Sequence, residues 1–216
     1  MNKRFVFLFV VLLIFTLSAC GNNNESNDKN NNAAEISVDG FLLAPSPLVP
    51  ADIDAFFADV DGEKYTPVAY IGSKTNVETI HCVLCKAREG SDETYVIVFL
   101  AENADGDAEI TSILECNSEV GTFAAVGSWT ETDSPEVNHD VRAILNNATT
   151  NLDGISFKPL AFLATQIVSG TNYRILCEIK PITEKPEPYF AIVHIYEDLS
   201  GNAEITEVYD FVSTIE

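Results

Sequence analysis

The spacing of hydrophobic residues in the C-terminal half of the chain changes from a helical to an alternating pattern. Val137, Val141 and Leu145 recur at helical spacing, which predicts an amphipathic helix with one apolar face. Ser134 is the expected N-cap of this helix, and Gly154 is expected to end it. The first half carries a shorter stripe of the same kind, closed by Asp61-Gly62.

Beyond the helix, apolar and β-branched runs predict four strands that are separated by turn residues. These strands are expected at Phe157–Thr165, Thr171–Pro181, Tyr189–Glu197 and Ala203–Val212. A short strand is expected before the helix, around residues 128–132. Tyr173 and Ile175 should point towards the helix, and Arg174 and Leu176 towards the opposite face. This pattern predicts one helix on a meandering antiparallel sheet.

The chain contains two copies of this unit. Three pairs of similar segments carry the repeat: 65–70 with 157–162 and 79–85 with 171–177, both at an offset of 92, and 105–111 with 200–206 at an offset of 95. We therefore expect an α+β protein with two tandem units, residues 36–118 and 124–216, each with one helix packed on a four- to five-stranded antiparallel sheet. Phe190 and Ile192 on the other sheet face suggest that the two units bury sheet surface together.

The N-terminal segment has the pattern of an export signal. Residues 1–19 combine a short basic region with an unbroken apolar run, too short for a stable membrane span. The sequence Leu17-Ser18-Ala19-Cys20 resembles a bacterial lipobox, which implies a lipidated Cys20 and an extracytoplasmic protein anchored to the bacterial cell membrane. An ordinary secretory signal is the alternative interpretation. Residues 20–35 are rich in Asn without large apolar residues, so they are predicted to form a disordered tether.

The net charge excludes several classes of partner. The formal charge is −21, and it becomes −23 once the basic residues Lys3 and Arg4 leave with the signal. Nucleic acid and anionic lipid surfaces reward Lys and Arg, so we expect neither as a partner. The excess of acidic residues is explained by solubility, and steering towards a basic partner is the alternative.

Four cysteines follow Cys20, and they suggest core packing more than chemistry. Cys82 and Cys85 have a spacing found in metal sites, but metal ligands of this kind usually occupy a turn. Here the pair lies within a predicted strand, where residues three apart face opposite sides. No nucleophile or zinc-hydrolase motif is present. We therefore predict no enzyme, no metal and no cofactor.

One segment of the second unit carries a functional motif. Its five residues lie between two predicted strands and precede Thr171-Asn172-Tyr173: Gln166, Ile167, Val168, Ser169 and Gly170. This segment resembles the first binding hairpin of the cystatins, which inhibit papain-like cysteine proteases. Gly127 resembles the glycine of the cystatin N-terminal segment. Where many cystatins have Pro-Trp in a second hairpin, this chain has three residues without an aromatic ring: Leu199, Ser200 and Gly201.

The resemblance implies a wedge that enters a protease cleft and blocks it reversibly. In a meandering sheet both hairpins and the start of the first strand lie at one end, so Gly127 and the two loops should converge. The matching segment 74–78 of the first unit lacks the motif, so we expect no inhibition from it. The alternative is a surface lipoprotein that uses cystatin-like units as a scaffold or binding module without inhibiting a protease.

Overall fold

The computed structural model describes most of the chain after the predicted tether. The described residues are 40–61, 64–90, 92–117 and 128–213. The predicted signal peptide (1–19), the lipidation site Cys20, the tether (20–35) and Gly127 lie outside them. Neither helix in the described part of the chain is long and apolar enough to cross a membrane.

These residues form two α-helices and ten β-strands. The first half contains β1 (Leu42–Leu43), α1 (Ala51–Asp61), β2 (Tyr65–Thr75), β3 (Thr79–Glu89), β4 (Asp92–Glu102) and β5 (Ala108–Cys116). The second half contains β6 (Thr130–Glu131), α2 (His139–Thr149), β7 (Ile155–Val168), β8 (Gly170–Pro181), β9 (Tyr189–Glu197) and β10 (Ala203–Ser213).

All ten strands belong to one antiparallel sheet, in the order β1-β2-β3-β4-β5-β10-β9-β8-β7-β6. The halves join where Phe211 pairs with Cys116 and Ser213 pairs with Leu114. The sheet curls into a half-barrel. The prediction of two tandem helix-on-sheet units is therefore wrong. The physical reason is that β10 continues far enough to hydrogen-bond with the end of β5, so the sheet does not stop at an edge between the halves.

Curling of the sheet brings the inner faces of both halves into one apolar core, here called the shared core. From the first half it contains Phe41, Ala69, Ile71, Cys82, Leu84, Tyr95, Ile97 and Cys116. From the second half it contains Ala161, Leu163, Leu176, Phe190, Ile192 and Phe211. The suggestion that Phe190 and Ile192 mark a sheet surface buried between the repeats is confirmed. Strands that are apolar on both faces need cover on both sides, and the opposite half supplies the inner cover.

The two helices cover the outer face of the curled sheet. In the first half, Ile53 and Phe57 of α1 pack in a cluster with strand residues that include Cys85. In the second half, Val141 and Leu145 of α2 pack in a cluster that includes Cys177. Since Cys82 lies in the shared core and Cys85 under α1, the two residues face opposite sides of the sheet, as predicted. Burial raises the pKa of the Cys85 and Cys177 thiols.

The second helix begins later than the sequence predicts. The N-cap is Asn138, whose side chain accepts a hydrogen bond from the Val141 backbone N–H at 2.9 Å. The expected cap, Ser134, instead accepts a bond from the Glu136 N–H. The carbonyl of Pro135 accepts a hydrogen bond from the Phe162 N–H at 2.9 Å, so this segment continues the edge pairing of β6 and cannot be helical.

The two halves repeat each other in strand register as well as in sequence. The β2–β3 pairing shifts between Pro67 and Ala69, and the β7–β8 pairing shifts between Pro159 and Ala161. Both pairs of strands have a second shift three residues further on, and both shifts follow the sequence offset of 92. Since bulges re-aim side chains, equal bulges allow equivalent residues of the two halves to be compared one by one.

The shared core predicts that the halves unfold together. Leu84→Ala removes a fully buried side chain of the first half, and should lower the free energy of unfolding by about 2–5 kcal/mol. Trp129, the chain's one tryptophan, lies in the second half, so its fluorescence reports on the half that Leu84→Ala does not alter. We expect Leu84→Ala to shift the denaturant midpoint of Trp129 fluorescence as far as the midpoint of far-UV circular dichroism.

The equivalent substitution Leu176→Ala is the matched control, because that residue lies in the second half of the same core. It should shift both midpoints in the same way. A Trp129 transition that ignores Leu84→Ala would show that the halves unfold independently, and it would contradict the shared core.

Candidate functional site

Two loops of the second half lie side by side at one end of the sheet. The β7–β8 hairpin turns at Ser169, and the β9–β10 hairpin turns at residues 198–202. The loops are neighbours because Thr171, just after the first turn, pairs with Glu197, just before the second. We call five exposed residues of this end the tip surface: Ile167, Val168, Ser169, Leu199 and Ser200.

The tip surface is apolar and open to solvent. Ile167 is 73% exposed and Leu199 is 88% exposed, while Val168 is also among the exposed large hydrophobic residues. Single exposed apolar residues need no explanation, but neighbouring ones often mark an interaction site. No ionisable side chain belongs to these five residues, although the described chain is strongly acidic.

Hydrogen bonds hold both loops in shape. The Asp198 carboxylate accepts hydrogen bonds from the backbone N–H groups of Ser200 at 2.8 Å and Asn202 at 2.9 Å. The Asn202 side chain and backbone hold the pKa of Asp198 below its usual value. The Asn147 side chain of α2 donates to the Gly201 carbonyl at 2.8 Å. The loop therefore presents Leu199 in a fixed position before any partner arrives.

The β7–β8 turn is fixed by its neighbour. The Tyr196 hydroxyl donates a hydrogen bond to the Ser169 carbonyl at 2.7 Å. Gly170 has a φ of 140°, a region that favours glycine, and a Cβ there would overlap the Glu197 carbonyl oxygen. Gly170 is therefore buried and serves the packing of the turn, so it does not contribute contact area of its own.

Gln166 is also buried, although sequence reasoning placed it in the binding surface. Its side chain is 5% exposed, and its Oε1 accepts a hydrogen bond from the Asn172 amide at 2.8 Å. The register explains this, because Gln166 and Asn172 are directly opposite each other on β7 and β8. The amide thus ties the two strands together below the tip. Gly127 lies outside the described residues, and Gly201 is exposed within its loop.

The equivalent end of the first half has the same shape and a different chemistry. Asn103 takes the place of Asp198, and its side chain accepts hydrogen bonds from the backbone N–H groups of Asp105 at 2.9 Å and Asp107 at 3.0 Å. This loop therefore carries two carboxylates where the second half has Ser200 and Asn202. Val77, 97% exposed, is the large apolar residue at its hairpin turn.

A second notable feature is a polar network on the inner face of the second half. The Arg174 Nε–H donates to His194 Nε2 at 3.0 Å, and His194 Nδ1 lies 2.9 Å from Glu207 Oε2. The Tyr209 hydroxyl donates to the same Glu207 oxygen at 2.6 Å. The Trp129 ring covers the guanidinium, with 4.1 Å between its centroid and Arg174 Cζ. We call these five residues the Arg174 network.

Burial sets the ionisation of this network. Burial lowers the pKa of His194 to about 4, and the positive charge of Arg174 acts in the same direction. Burial also raises the pKa of Tyr209 to about 12, helped by its hydrogen bond to Glu207. At neutral pH the network therefore contains a cationic Arg174, a neutral His194 and a protonated Tyr209.

Sequence reasoning missed the Arg174 network, although the repeat contained a signal for it. The shared register places Cys82 at the position of Arg174, and Phe99 at the position of His194. In the first half Phe99 packs on Phe41, with ring centroids 5.6 Å apart, just as His194 packs on Trp129 at 5.1 Å. Polar residues of the second half thus replace an apolar cluster of the first.

A third cluster brings together a phenol, an imidazole and a carboxylate in the first half. The Tyr70 hydroxyl lies 2.8 Å from His81 Nδ1, and His81 Nε2 lies 3.0 Å from Glu102 Oε2. Burial raises the pKa of Tyr70, so its hydroxyl keeps its proton at neutral pH. Within the described ranges, no three His, Cys, Asp or Glu residues are grouped to hold a metal ion.

Comparison with known proteins adds no assignment. No protein-family model matches the chain, and no curated protein is significantly similar to it.

The tight turn at Gly170 predicts a difference between two glycines of the tip. Gly170→Ala should destabilise the protein more than Gly201→Ala, because both have positive φ but only the first also collides with backbone. The φ effect alone costs about 1–2 kcal/mol, so we expect a larger loss for Gly170→Ala and a loss in that range for Gly201→Ala. Chemical denaturation of both variants measures this, and equal losses would show that the turn has room for a side chain.

Proposed function

We propose that this protein is a lipid-anchored, extracytoplasmic inhibitor of papain-like cysteine proteases that blocks the active-site cleft reversibly with its tip surface. The observation that carries the proposal is the apolar tip formed by Ile167, Val168 and Leu199 on two hydrogen-bonded loops. The resemblance of residues 166–173 to the cystatin binding hairpin supplies the class of partner. Lipidation at Cys20 supplies the anchor.

The physical case for cleft binding rests on preorganisation. Ordering a flexible loop on binding reduces affinity by the conformational entropy that the loop loses. Here Asp198, Tyr196 and Asn147 already fix the loops, so a partner gains the burial of the apolar side chains without that cost. Each fully buried Ile or Leu side chain is worth about 1.5–3 kcal/mol.

A blocking tip must also resist being cut by the protease that it enters. A protease cleaves a segment that is extended and adaptable in its cleft, and the β7–β8 turn has neither property. Val168 and Gly170 pair directly across a single residue, Ser169, whose carbonyl is held by Tyr196. This tight turn favours occlusion without cleavage, which is the mode that the resemblance implies.

The buried position of Gln166 favours a second candidate function. In the resemblance this residue belongs to the protease-contacting segment, but here its side chain is committed to Asn172. The second hairpin also carries Leu199 where many cystatins have an aromatic anchor. Both departures fit a surface lipoprotein that uses the same tip to bind a different partner without inhibiting a protease.

Inhibition of papain by a soluble form tests the proposal. The test should use residues 21–216, because a fragment of the second half alone would expose its side of the shared core. We expect an inhibition constant of about 1 μM or tighter, equivalent to a binding free energy of about −8 kcal/mol. Mass spectrometry after incubation should find the chain intact. An absence of inhibition at about ten times that concentration would leave only the second candidate.

Charge substitutions in the tip surface test where the contact lies. Ile167→Glu and Leu199→Glu each place a carboxylate in the proposed contact, and each should weaken inhibition at least about tenfold, or ~1.4 kcal/mol. Val77→Glu is the matched control, since Val77 is an exposed apolar residue of the first-half hairpin. It should leave inhibition unchanged. Equal inhibition by all three variants would place the contact outside the tip surface.

A further inference from the structure

The Arg174 network does more than fill the inner face, because it connects three parts of the molecule. Trp129 immediately precedes the edge strand β6, while Arg174 and His194 belong to the central strands β8 and β9. The guanidinium of Arg174 also lies over Tyr95 of the first half, 5.9 Å from the ring centroid. A change in this network therefore affects both the edge strand β6 and the contact between the halves.

A reciprocal contact crosses the same boundary. Lys86 of the first half forms an ion pair with Glu131 of β6, and its ammonium lies 6.0 Å from the centroid of the Tyr95 ring. Tyr95 thus stands between a cation of its own half and a cation of the other half. Desolvation lowers the pKa of both Lys86 and Arg174, as expected for cations held within this boundary.

The hydrogen bonds of the network allow only one protonation state of His194. An arginine N–H is always a donor, so His194 Nε2 must accept the bond from Arg174 with its lone pair. The proton of the neutral ring is then on Nδ1, where it is donated to Glu207. A second proton would have to bind Nε2. The new Nε2–H of His194 would then face the Nε–H of Arg174. A second positive charge would also lie beside the buried guanidinium.

The surroundings offer limited compensation for that second charge. From β8 the ring faces Arg174, and from β10 it faces Glu207 and Tyr209. From the segment before β6 it faces the Trp129 ring. Glu207 is the acidic group among these, and its side chain is 52% exposed, so water screens it. Protonation of His194 therefore breaks the bond to Arg174 more readily than it gains a new partner.

We propose that the Arg174 network is an acid-sensitive latch, which holds β6 and the boundary between the halves closed at neutral pH and releases them when His194 is protonated. The strand β6 is short, with Thr130 and Glu131 paired to β7 and with Thr132 and Pro135 hydrogen-bonded to the same strand beyond them. The contact of Trp129 with Arg174 holds the start of this segment, where that pairing begins. Release of Trp129 from Arg174 removes a stacked cation contact at the start of that strand. The Lys86–Glu131 pair then loses the fixed position of its carboxylate.

The direction of the pH effect follows from the neutral state of His194. Because the pKa of His194 is lower in the folded protein than the ordinary value of 6.5, folding favours the neutral ring. The contribution of the latch to stability is therefore complete above pH 6.5, and it is lost as the pH falls from 6.5 towards about 4.

Trp129 provides the test, because it is the one tryptophan of the chain and stacks on the latch. In the soluble 21–216 form, we expect its fluorescence to change reversibly between pH 7 and pH 4 while far-UV circular dichroism stays constant. In the same pH range, hydrogen exchange of the segment 128–134 should become at least about tenfold faster than in a variant that cannot titrate at position 194.

Two variants supply that comparison. His194→Gln keeps an acceptor for Arg174 and a donor for Glu207 without titrating near neutral pH, and His194→Phe copies Phe99 of the first half. Both should lose the fluorescence change and the acceleration of exchange. His81→Tyr is the control, since it copies Tyr173 of the second half and leaves the latch intact, and it should behave as the unchanged protein does.

Three outcomes would overturn the latch. The first is a Trp129 signal that stays constant to pH 4 in the folded protein. The second is a change that persists in the His194→Gln protein, which would assign the proton to a carboxylate. The third is a fluorescence change without faster exchange of residues 128–134, which would mean that His194 titrates while β6 stays closed.

Discussion

The packing of the two inner sheet faces against each other is the constraint on which the rest of the structure depends. Leu84, Ile97, Leu176 and Ile192 are among its members, and all are essentially inaccessible to water. A sheet that is apolar on both faces cannot be covered by one helix, because the helix protects only the outer face. The second copy of the repeat provides the missing layer, so each half completes the other.

This constraint explains why the β5–β10 junction can be short, with three residue pairs in the described part of the chain. The strands there do not hold the halves together by themselves; they set the point about which the sheet curls, and burial of the inner faces supplies the main stabilisation. The fold is therefore a single body made from a duplicated sequence.

How much of this could be read from the sequence differs between local and long-range features. The strand Tyr189–Glu197 was predicted with the bounds that the structure has, because alternation and turn residues specify it locally. The β5–β10 pairing was missed because it joins Cys116 to Phe211, which lie far apart in the chain and carry no pattern that distinguishes a continuous sheet from two separate edges. The start of α2 was missed because the backbone of Pro135 is used by β7.

The candidate site shows the same difference between local features, which the sequence predicts, and long-range features, which it does not. The exposed residues Ile167 and Leu199 could be predicted, since turn position determines exposure. The burial of Gln166 could not be predicted, because it depends on the β7–β8 register, which places Asn172 opposite Gln166. Arg174 and His194 were each placed on a strand, but their partnership depends on the β8–β9 register, which places them opposite each other.

Comparison of the repeats argues that the second half is the functional one. Where the first half is apolar inside, at Cys82 and Phe99, the second half places Arg174 and His194. Where the first half has Asp105 and Asp107 in its tip loop, the second half has the uncharged residues Ser200 and Asn202. Buried charge costs stability and exposed apolar surface risks aggregation, so neither change improves the fold as a fold. The second half has exposed large apolar residues on both hairpin loops and a buried guanidinium, whereas the exposed large apolar residue on the described loops of the first half is Val77. These costs in one copy of the repeat favour a function at that copy's end of the sheet.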